Sequence, residues 1–258
     1  MNESDDENLD TNCTSGDSAH TAPVGNYDVI VSKTNKDKLY QPACCHNDVL
    51  PKLPFSAIVV GKSGSGKTLA MTSMLKNPSM LKDCFDFIFF FTGSKPDQEI
   101  IKDLHLQKDC IKIDFTENDV KDIITKLEKY IDEGGFNKFT PSTLFIFDDI
   151  LGNTDFLKSK TMTKLATANR HINVTFFLLS QYYKKIPPCI RTNASYIMFF
   201  PSNAQEVEKL ADEMCPARMD KKTFIKYVNH ATADKHSFLG INNKSENKLR
   251  KNFDIILK

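Results

Sequence analysis

The chain has 258 residues, enough for one large domain, and its 26% charged and 40% hydrophobic residues are typical of a soluble globular protein. No apolar run reaches the roughly 18 residues that a membrane-spanning helix needs, and the acidic amino terminus lacks the apolar stretch of a signal peptide. Residues 1–20 hold six acidic side chains and no Lys or Arg, so the remainder carries 34 basic and 27 acidic ones. This balance suits a polyanionic partner, although an ordinary solvated surface has the same composition.

The seven cysteines are odd in number and include no Cys-x-x-Cys pair. This usage argues against a disulfide framework or a zinc ribbon and favours a reducing compartment. Cys44, Cys45 and His46 are adjacent and have no distant partner pair, so they make a poor tetrahedral metal site.

Three regions follow one another along the chain. Residues 1–25 are rich in Asp, Asn, Ser, Thr and Gly and poor in large apolar residues, which predicts a disordered acidic tail. Residues 26–54 are interrupted by proline and have mixed composition, and we expect them to form a lead-in segment packed on the core. Residues 55–258 alternate between apolar strands and helical patterns and are the predicted main domain.

The alternating pattern defines the fold class. Strands are predicted at residues 56–60, 85–92, 110–115, 143–148, 173–180 and 194–200, with short final strands at 237–241 and 253–257. Helices are predicted at 67–75, 95–106, 117–133, 155–169 and 204–214. Residues 85–92 are apolar on both faces, as a central parallel strand should be. Strands alternating with helices predict an α/β fold with a mostly parallel central sheet flanked by helices.

The most specific motif is GKSGSGKT at residues 61–68, which runs from a predicted strand into a predicted helix and fits the phosphate-binding pattern Gly-x4-Gly-Lys-[Ser/Thr]. Glycines let the backbone wrap closely around phosphate oxygens, and the loop N–H groups then point at the anion. The predicted nucleotide-binding residues are Gly61, Lys62, Ser63, Gly64, Ser65, Gly66, Lys67 and Thr68. Lys67 would reach the β- and γ-phosphates of ATP, and the Thr68 hydroxyl would hold Mg²⁺. The ordered context disfavours a Gly/Ser-rich loop that binds nothing.

Two carboxylates, Asp148 and Asp149, follow the apolar strand LFIF at residues 144–147. The carboxyl end of a parallel strand is the ligand edge of its sheet. Asp148 is therefore predicted to bind the Mg²⁺ shell, and Asp149 to orient or deprotonate the water that attacks the γ-phosphate. The alternative is that one of the two acids caps the next helix.

Three further side chains are weaker candidates for catalysis. Gln181 directly follows the strand at 173–180 and could sense the γ-phosphate or position water, or it could be a plain surface glutamine. Arg170 lies just before that strand, at the end away from the nucleotide, so it could reach a site only across a ring interface. Arg191 lies in a loop after two prolines and could act in the same way or contact DNA phosphate. Both arginines could also be ion-paired surface residues.

At these residues the chain resembles the viral DNA-packaging ATPases of the FtsK–HerA superfamily, found in large DNA viruses, virophages and Maverick/Polinton-type elements. The resemblance is carried by residues 61–68, 144–149, 168–181 and 186–200, with a weaker likeness at 227–241, and so covers about residues 55–241. It implies a RecA-like ASCE core and makes residues 55–258 a P-loop ATPase domain. It also implies a homo-oligomeric ring, of six copies, that pumps double-stranded DNA into a preformed capsid with ATP.

By this likeness Lys67 and Thr68 bind ATP–Mg²⁺, Asp148 binds the metal, Asp149 activates water, Gln181 senses the nucleotide, and Arg170 or Arg191 acts in trans. Many hydrolytic relatives carry Glu where this chain has Asp149, which would bring the water closer to the backbone. The partners implied are double-stranded DNA and capsid or portal components, with no membrane. The place implied is the cytoplasm or virus factory of an infected host cell, and the virion.

Four alternatives share part of this chemistry. A cellular-type DNA pump or helicase usually carries added membrane, barrel or winged-helix parts. A GTPase switch should have Asn-Lys-x-Asp after the phosphate loop, whereas the similar residues 35–37 precede it. A nucleotide kinase would need a phosphate-clamping lid, for which Arg218, Lys221 and Lys222 are a thin basis. A non-enzymatic assembly factor would only bind ATP.

Overall fold

The computed structural model describes residues 49–134, 141–245, 249–253 and 255–256. The predicted tail at 1–25, most of the lead-in segment at 26–54, and Cys44, Cys45 and His46 lie outside the described residues. The end of the lead-in segment is described, and its Leu50 and Leu53 are buried in the core.

The described residues form one nine-stranded sheet. Its strands are β1 Ser56–Val60, β2 Phe87–Thr92, β3 Ile111–Ile113, β4 Thr143–Asp148, β5 Val174–Ser180, β6 Tyr196–Phe199, β7 Leu239–Asn242, β8 Leu249–Lys251 and β9 Ile255–Ile256. They lie in the order β3-β2-β4-β5-β1-β6-β7-β8-β9. Pairs among the first six strands are parallel, and those from β6 to β9 are antiparallel.

Helices connect the strands and cover both faces of the sheet. They are α1 Lys67–Lys76, α2 Gln98–Asp103, α3 Glu117–Gly134, α4 Thr154–Leu157, α5 Lys160–Ala168, α6 Pro188–Asn193, α7 Ala204–Met214 and α8 Lys221–Ala231. The predicted α/β class with a mostly parallel, helix-flanked sheet is confirmed.

Strand β5 lies between β1 and β4, and this order positions the candidate site. Phe176 of β5 is in register with Ser56 of β1 on one side and with Phe145 of β4 on the other. The three strands run parallel, so their carboxyl ends meet at one edge of the sheet. The loops after β1, β4 and β5 therefore come together although they are distant in sequence.

The core divides into two apolar layers, one on each face of the sheet, because alternate residues of a strand point to opposite faces. In β5, Phe176 and Leu178 join one layer, which also includes residues of α3, α5, α7 and α8. Phe177 and Leu179 join the other layer with residues of α1 and the chain before β1. The residues of β1, β4 and β5 are almost all buried, so these closely packed strands hold the ends that carry the site in fixed positions.

Several predicted element boundaries were wrong for local reasons. The single helix predicted at 155–169 is two helices, because the side chain of Ser159 caps a new start by accepting the Met162 N–H. The helix predicted at 95–106 begins only at Gln98, where Asp97 provides the cap. Helices α6 and α8 and strand β8 were not predicted.

Cysteine oxidation differs from the expectation of reduced cysteines. Cys84 is disulfide-bonded, whereas Cys110 and Cys189 are free. Among the described residues, the helices are all too short or too polar to cross a membrane.

Candidate active site

The carboxyl edge of β1, β4 and β5 contains a pocket of about 420 Å³. Eight of the predicted site residues line it, among them Lys67, Thr68, Asp148, Asp149 and Gln181. These five come from α1 and from the ends of β4 and β5, so the sheet brings together side chains that are 114 positions apart at the extremes. Within the loop at 61–68, Ser63, Gly64 and Gly66 also line the pocket, whereas Gly61, Lys62 and Ser65 do not.

The loop after β1 needs its glycines for conformation and for space. Gly64 and Gly66 have φ of +74° and +99°, a region that other residues adopt only with strain. A Cβ on Gly61 would lie 2.5 Å from the Cβ of Phe200, so this position has no room for a side chain. The loop therefore turns tightly into α1, whose first residues Lys67, Thr68 and Leu69 line the pocket.

Lys67 is folded onto its own loop. Its Nζ donates to the carbonyl oxygens of Gly61 at 2.8 Å and Lys62 at 3.0 Å. Burial lowers the pKa of the Lys67 ammonium, and the nearby Asp148 and Asp149 carboxylates oppose this by favouring the charged form. The cation and both acids are thus close enough to interact electrostatically.

The two acids differ in environment although they are adjacent. Burial raises the pKa of the Asp148 carboxyl, with Lys67 acting in the opposite direction and the charge of Asp149 adding to the rise. Asp149 is exposed, and its backbone has a φ of +52°. Such a φ is strained for a residue with a side chain, and strain of this kind is found at functional turns.

Gly93, directly after β2, packs against the backbone of this turn. A Cβ on Gly93 would lie 2.9 Å from the carbonyl oxygen of Asp149. Only glycine therefore lets the end of β2 approach the Asp149 backbone this closely. The sequence prediction missed Gly93 and its neighbour Ser94, which lines the pocket. Their place directly after a predicted parallel strand was the signal that could have identified them.

The end of β5 is joined to the phosphate-binding loop. The Gly61 N–H donates to the carbonyl oxygen of Ser180 at 3.1 Å, one residue before Gln181. The Ser180 hydroxyl in turn accepts the Tyr182 N–H at 3.1 Å and donates to the Tyr182 carbonyl oxygen at 2.9 Å. Gln181 is therefore held in a short, braced turn beside the loop.

His236 is a second neighbour that sequence reasoning missed. Its Nδ1 lies 3.2 Å from the carbonyl oxygen of Ser65, and its ring packs against Gly66. It belongs to the segment between α8 and β7, and nothing local in the sequence marks it as part of the site.

Arg170 lies away from this pocket. It is exposed in the turn before β5 and lines a separate pocket with Ser56 and Ser195, at the amino ends of β1 and β6. This is the edge of the sheet opposite to Lys67, as the sequence predicts. Arg170 therefore does not reach the pocket of its own chain.

Arg191 is not available as a catalytic arginine. Its side chain is only 4% exposed and forms a two-pronged pair with Glu213, with Nε–Oε2 and Nη2–Oε1 distances of 2.8 and 2.7 Å. Its Nη1 also donates to the carbonyl oxygens of Lys184 and Ile186. A buried guanidinium with these partners cannot extend to a neighbouring subunit or to DNA. The prediction that Arg191 acts in trans is not supported.

Comparison with known proteins agrees with the motif-based resemblance. A family model described as Poxvirus A32 protein matches residues 45–250. The DNA packaging protein OPG160 of Variola virus is 28% identical over 182 residues, covering 70% of this chain and 65% of that protein. The OPG160 protein of Monkeypox virus matches at 28% over 182 residues and 58% of its length. The chain thus spans less than two thirds of these relatives.

Solved structures show the same fold. The genome packaging NTPase B204 from Sulfolobus turreted icosahedral virus 2, in complex with AMPPCP, matches with a TM-score of 0.53. The sequences are 14% identical, and the match covers 74% of this chain and 93% of that one. The structure of EssC (ATPases 2 and 3) from Geobacillus thermodenitrificans matches with a TM-score of 0.51. The sequences are 12% identical, and the match covers 76% of this chain and 38% of that one.

Proposed function

Because the chain belongs to the poxvirus A32 protein family, we propose that it is an ATP-hydrolysing motor that translocates double-stranded DNA into a viral capsid. The observation that carries the proposal is the meeting of Lys67, Asp148, Asp149 and Gln181 in one pocket. The relatives named as DNA packaging proteins and the fold of a genome packaging NTPase support the same function.

We propose that the loop and the start of α1 bind ATP. The backbone N–H groups of residues 61–68 would surround the phosphates, and Lys67 would exchange its two carbonyl partners for phosphate oxygens. This exchange requires no rearrangement of the sheet, since the lysine already lines the pocket. We propose that all eight residues of the loop belong to the nucleotide site.

The donor set of the pocket fits Mg²⁺. The Thr68 hydroxyl and the Asp148 carboxylate line the same pocket, and such hard oxygen atoms are the ligands that Mg²⁺ prefers. We propose that these two residues hold the ion, which would neutralise charge on the phosphate oxygens when bound. Asp148 is half-buried, so a cation would also offset the cost of burying its charge.

We propose that Asp149 activates the attacking water. It is exposed at the pocket wall, where its carboxylate can accept a hydrogen bond from water and hold that water toward the γ-phosphate. Gln181 lies on the neighbouring strand end and can donate to the same phosphate or the same water. The Asp149 backbone packs against Gly93, and the turn that contains Gln181 is held by the hydrogen bonds of Ser180.

We expect Asp149→Asn to bind ATP with near wild-type affinity and to hydrolyse it about 10²–10⁴-fold more slowly, because an amide cannot take up a proton. Equilibrium binding of a fluorescent ATP analogue and steady-state phosphate release measure the two effects separately. Asp155→Asn, a change of the same kind in nearby α4, is the control and should leave the rate within a few-fold. Wild-type turnover in Asp149→Asn would remove Asp149 from this role.

We expect Gly93→Ala to slow hydrolysis by about 10–100-fold while ATP still binds, because the added methyl would displace the Asp149 backbone. Gly152→Ala, in the loop that contains Asp149, is a matched control, since a Cβ there has no heavy atom within 4 Å. Single-turnover hydrolysis in the two variants makes the comparison. Equal rates would show that Gly93 does not hold Asp149.

We propose that copies of the chain form a ring, of six by resemblance, and that Arg170 acts on the site of a neighbouring copy. Its exposure at the opposite sheet edge permits this, since it cannot serve its own pocket. Arg170→Ala should bind ATP but lose most hydrolysis. Mixing it with Asp149→Asn should restore part of the activity, because some interfaces then combine a wild-type pocket with a wild-type arginine. No recovery on mixing would place Arg170 outside any shared site.

The central test is the ATPase rate with long duplex DNA, single-stranded DNA or neither. A motor should be strongly stimulated by the duplex. A rate indifferent to DNA would favour a nucleotide kinase, and binding without turnover would favour an assembly factor. We propose capsid or portal components as further partners and the infected host cell, including its virus factory and the virion, as the place of action.

A further inference from the structure

Three exposed side chains follow Gln181 directly. Tyr182 is a large aromatic residue that is 41% exposed, and Lys184 and Lys185 are exposed beside it. The Lys185 Nζ lies 4.7 Å from the centroid of the Tyr182 ring, a cation–π distance. Neither lysine forms an ion pair within the described part of the chain. The Lys184 Nζ has only a neutral partner, the Gln205 amide oxygen at 3.4 Å. The segment therefore presents two positive charges that have no ion-pair partner among the described residues, together with a flat aromatic ring.

The backbone of the same segment is held by hydrogen bonds to buried side chains, which together are called the clamp. The Lys184 N–H donates to the buried Glu206 carboxylate at 3.0 Å, and the Lys184 carbonyl oxygen accepts from Arg191. The buried Tyr183 hydroxyl donates to Glu213 at 3.0 Å. The four residues 182–185 are therefore tied to α7 through the carboxylates of Glu206 and Glu213.

Hydrogen bonds also connect this segment to the nucleotide pocket, through the turn at the end of β5. Ser180 bonds Tyr182 on one side and the first residue of the phosphate-binding loop, Gly61, on the other. Gln181 lies between them and lines the pocket. A force on Tyr182 or Lys185 would thus be transmitted to Gln181 instead of being absorbed by a loose loop.

We infer that residues 182–185 contact the phosphate backbone of duplex DNA and couple that contact to Gln181; this rests on the proposed packaging function. Phosphate attracts unpaired lysines, and tyrosine can donate its hydroxyl to a phosphate oxygen while its ring steadies Lys185. Backbone contacts carry no sequence preference, as suits a protein that must move along any DNA.

The test is binding of a fluorescent duplex by anisotropy at several salt concentrations, together with ATPase rates. The double variant Lys184→Ala/Lys185→Ala should reduce the slope of log affinity against log salt by about 2, one for each lost phosphate contact. It should also lose most DNA stimulation while keeping the DNA-free ATPase rate. The Lys184 atoms in the clamp are backbone atoms, so this variant retains them. Tyr182→Ala should weaken binding with a smaller change of slope.

Lys126→Ala/Lys129→Ala is the matched control. It removes the same charge from α3, where Lys126 lies near the amino ends of β2 and β4, at the opposite sheet edge. This control should keep the wild-type slope and stimulation. If wild type binds duplex and the 184/185 variant retains its salt slope and stimulation, the inference is wrong and the packaging function stands. If wild type does not bind duplex at all, both are wrong.

Discussion

Lys67→Ala should abolish measurable ATP binding and reduce hydrolysis by about 10³-fold or more, the largest loss expected of any substitution in the pocket. Lys67 is the cation that lines the pocket between the phosphate-binding loop and the two acids. The substitution also removes its hydrogen bonds to the carbonyl oxygens of Gly61 and Lys62, so the loop loses an internal brace. Calorimetric titration with ATP and a phosphate-release assay measure the two effects.

Lys82→Ala is the control for this prediction, since Lys82 is an exposed lysine beyond the end of α1. It should bind and hydrolyse ATP as wild type does. Thermal unfolding of both variants without nucleotide separates a lost ligand contact from a lost fold. Micromolar ATP affinity in Lys67→Ala would show that the loop does not hold the phosphates.

The second large effect concerns stability. Arg191→Ala should lower the free energy of unfolding by about 3–5 kcal/mol, because it leaves the largely buried Glu213 carboxylate without its main partner. It also deprives the carbonyl oxygens of Lys184 and Ile186 of a donor. Urea denaturation monitored by circular dichroism measures the change. Lys221→Ala breaks exposed pairs with Glu208 and Asp212 and should cost less than about 1 kcal/mol.

Two further measurements separate lost pairing from lost packing. Arg191→Met combined with Glu213→Leu should be more stable than Arg191→Ala, since no charge is then buried alone. A double variant as unstable as Arg191→Ala would mean that packing, not charge, decides the effect. Burial alone would raise the pKa of Glu213, but hydrogen bonds from Arg191, Lys209 and Tyr183 lower it from 4.5 to about 2. The contribution of the ionised Glu213 to the free energy of unfolding should be fully present above pH 4.5 and should be lost as the pH falls toward 2.

The parts of the site that could be predicted are those encoded by contiguous residues. The loop at 61–68 is recognisable because strand, glycines, lysine and helix follow one another within thirteen residues. Strand β4 was predicted with its observed bounds because four consecutive apolar residues, 144–147, end abruptly in two acids. Gln181 was found because the polar residue after a buried parallel strand lies at the ligand edge.

What could not be predicted depends on contacts between distant residues. The position of β5 between β1 and β4 follows from pairing across the sheet, which no local pattern encodes. Arg191 and Glu213 are 22 positions apart, so their pairing could not be seen in the sequence. Helix α6 was hidden by Pro187 and Pro188, although proline at a helix start is common.

Helix α8 was missed although its signal was present. Asp220 accepts the Thr223 N–H as a helix cap, and Phe224, Val228 and Ala231 follow at helical spacing. The two glycine contacts that matter at the site, at Gly61 and Gly93, are tertiary and could not be predicted from the neighbouring residues.

The two edges of the sheet have a consequence for self-association. The sheet begins with β3, of three residues, and its described part ends with β9, of two. An edge as short as β3 offers another chain few unpaired backbone groups, so strand-by-strand joining of neighbouring sheets at that edge is disfavoured. Assembly would then depend on complementary side chains, which makes it reversible, sensitive to ionic strength and separable by point substitution from the folding of each copy.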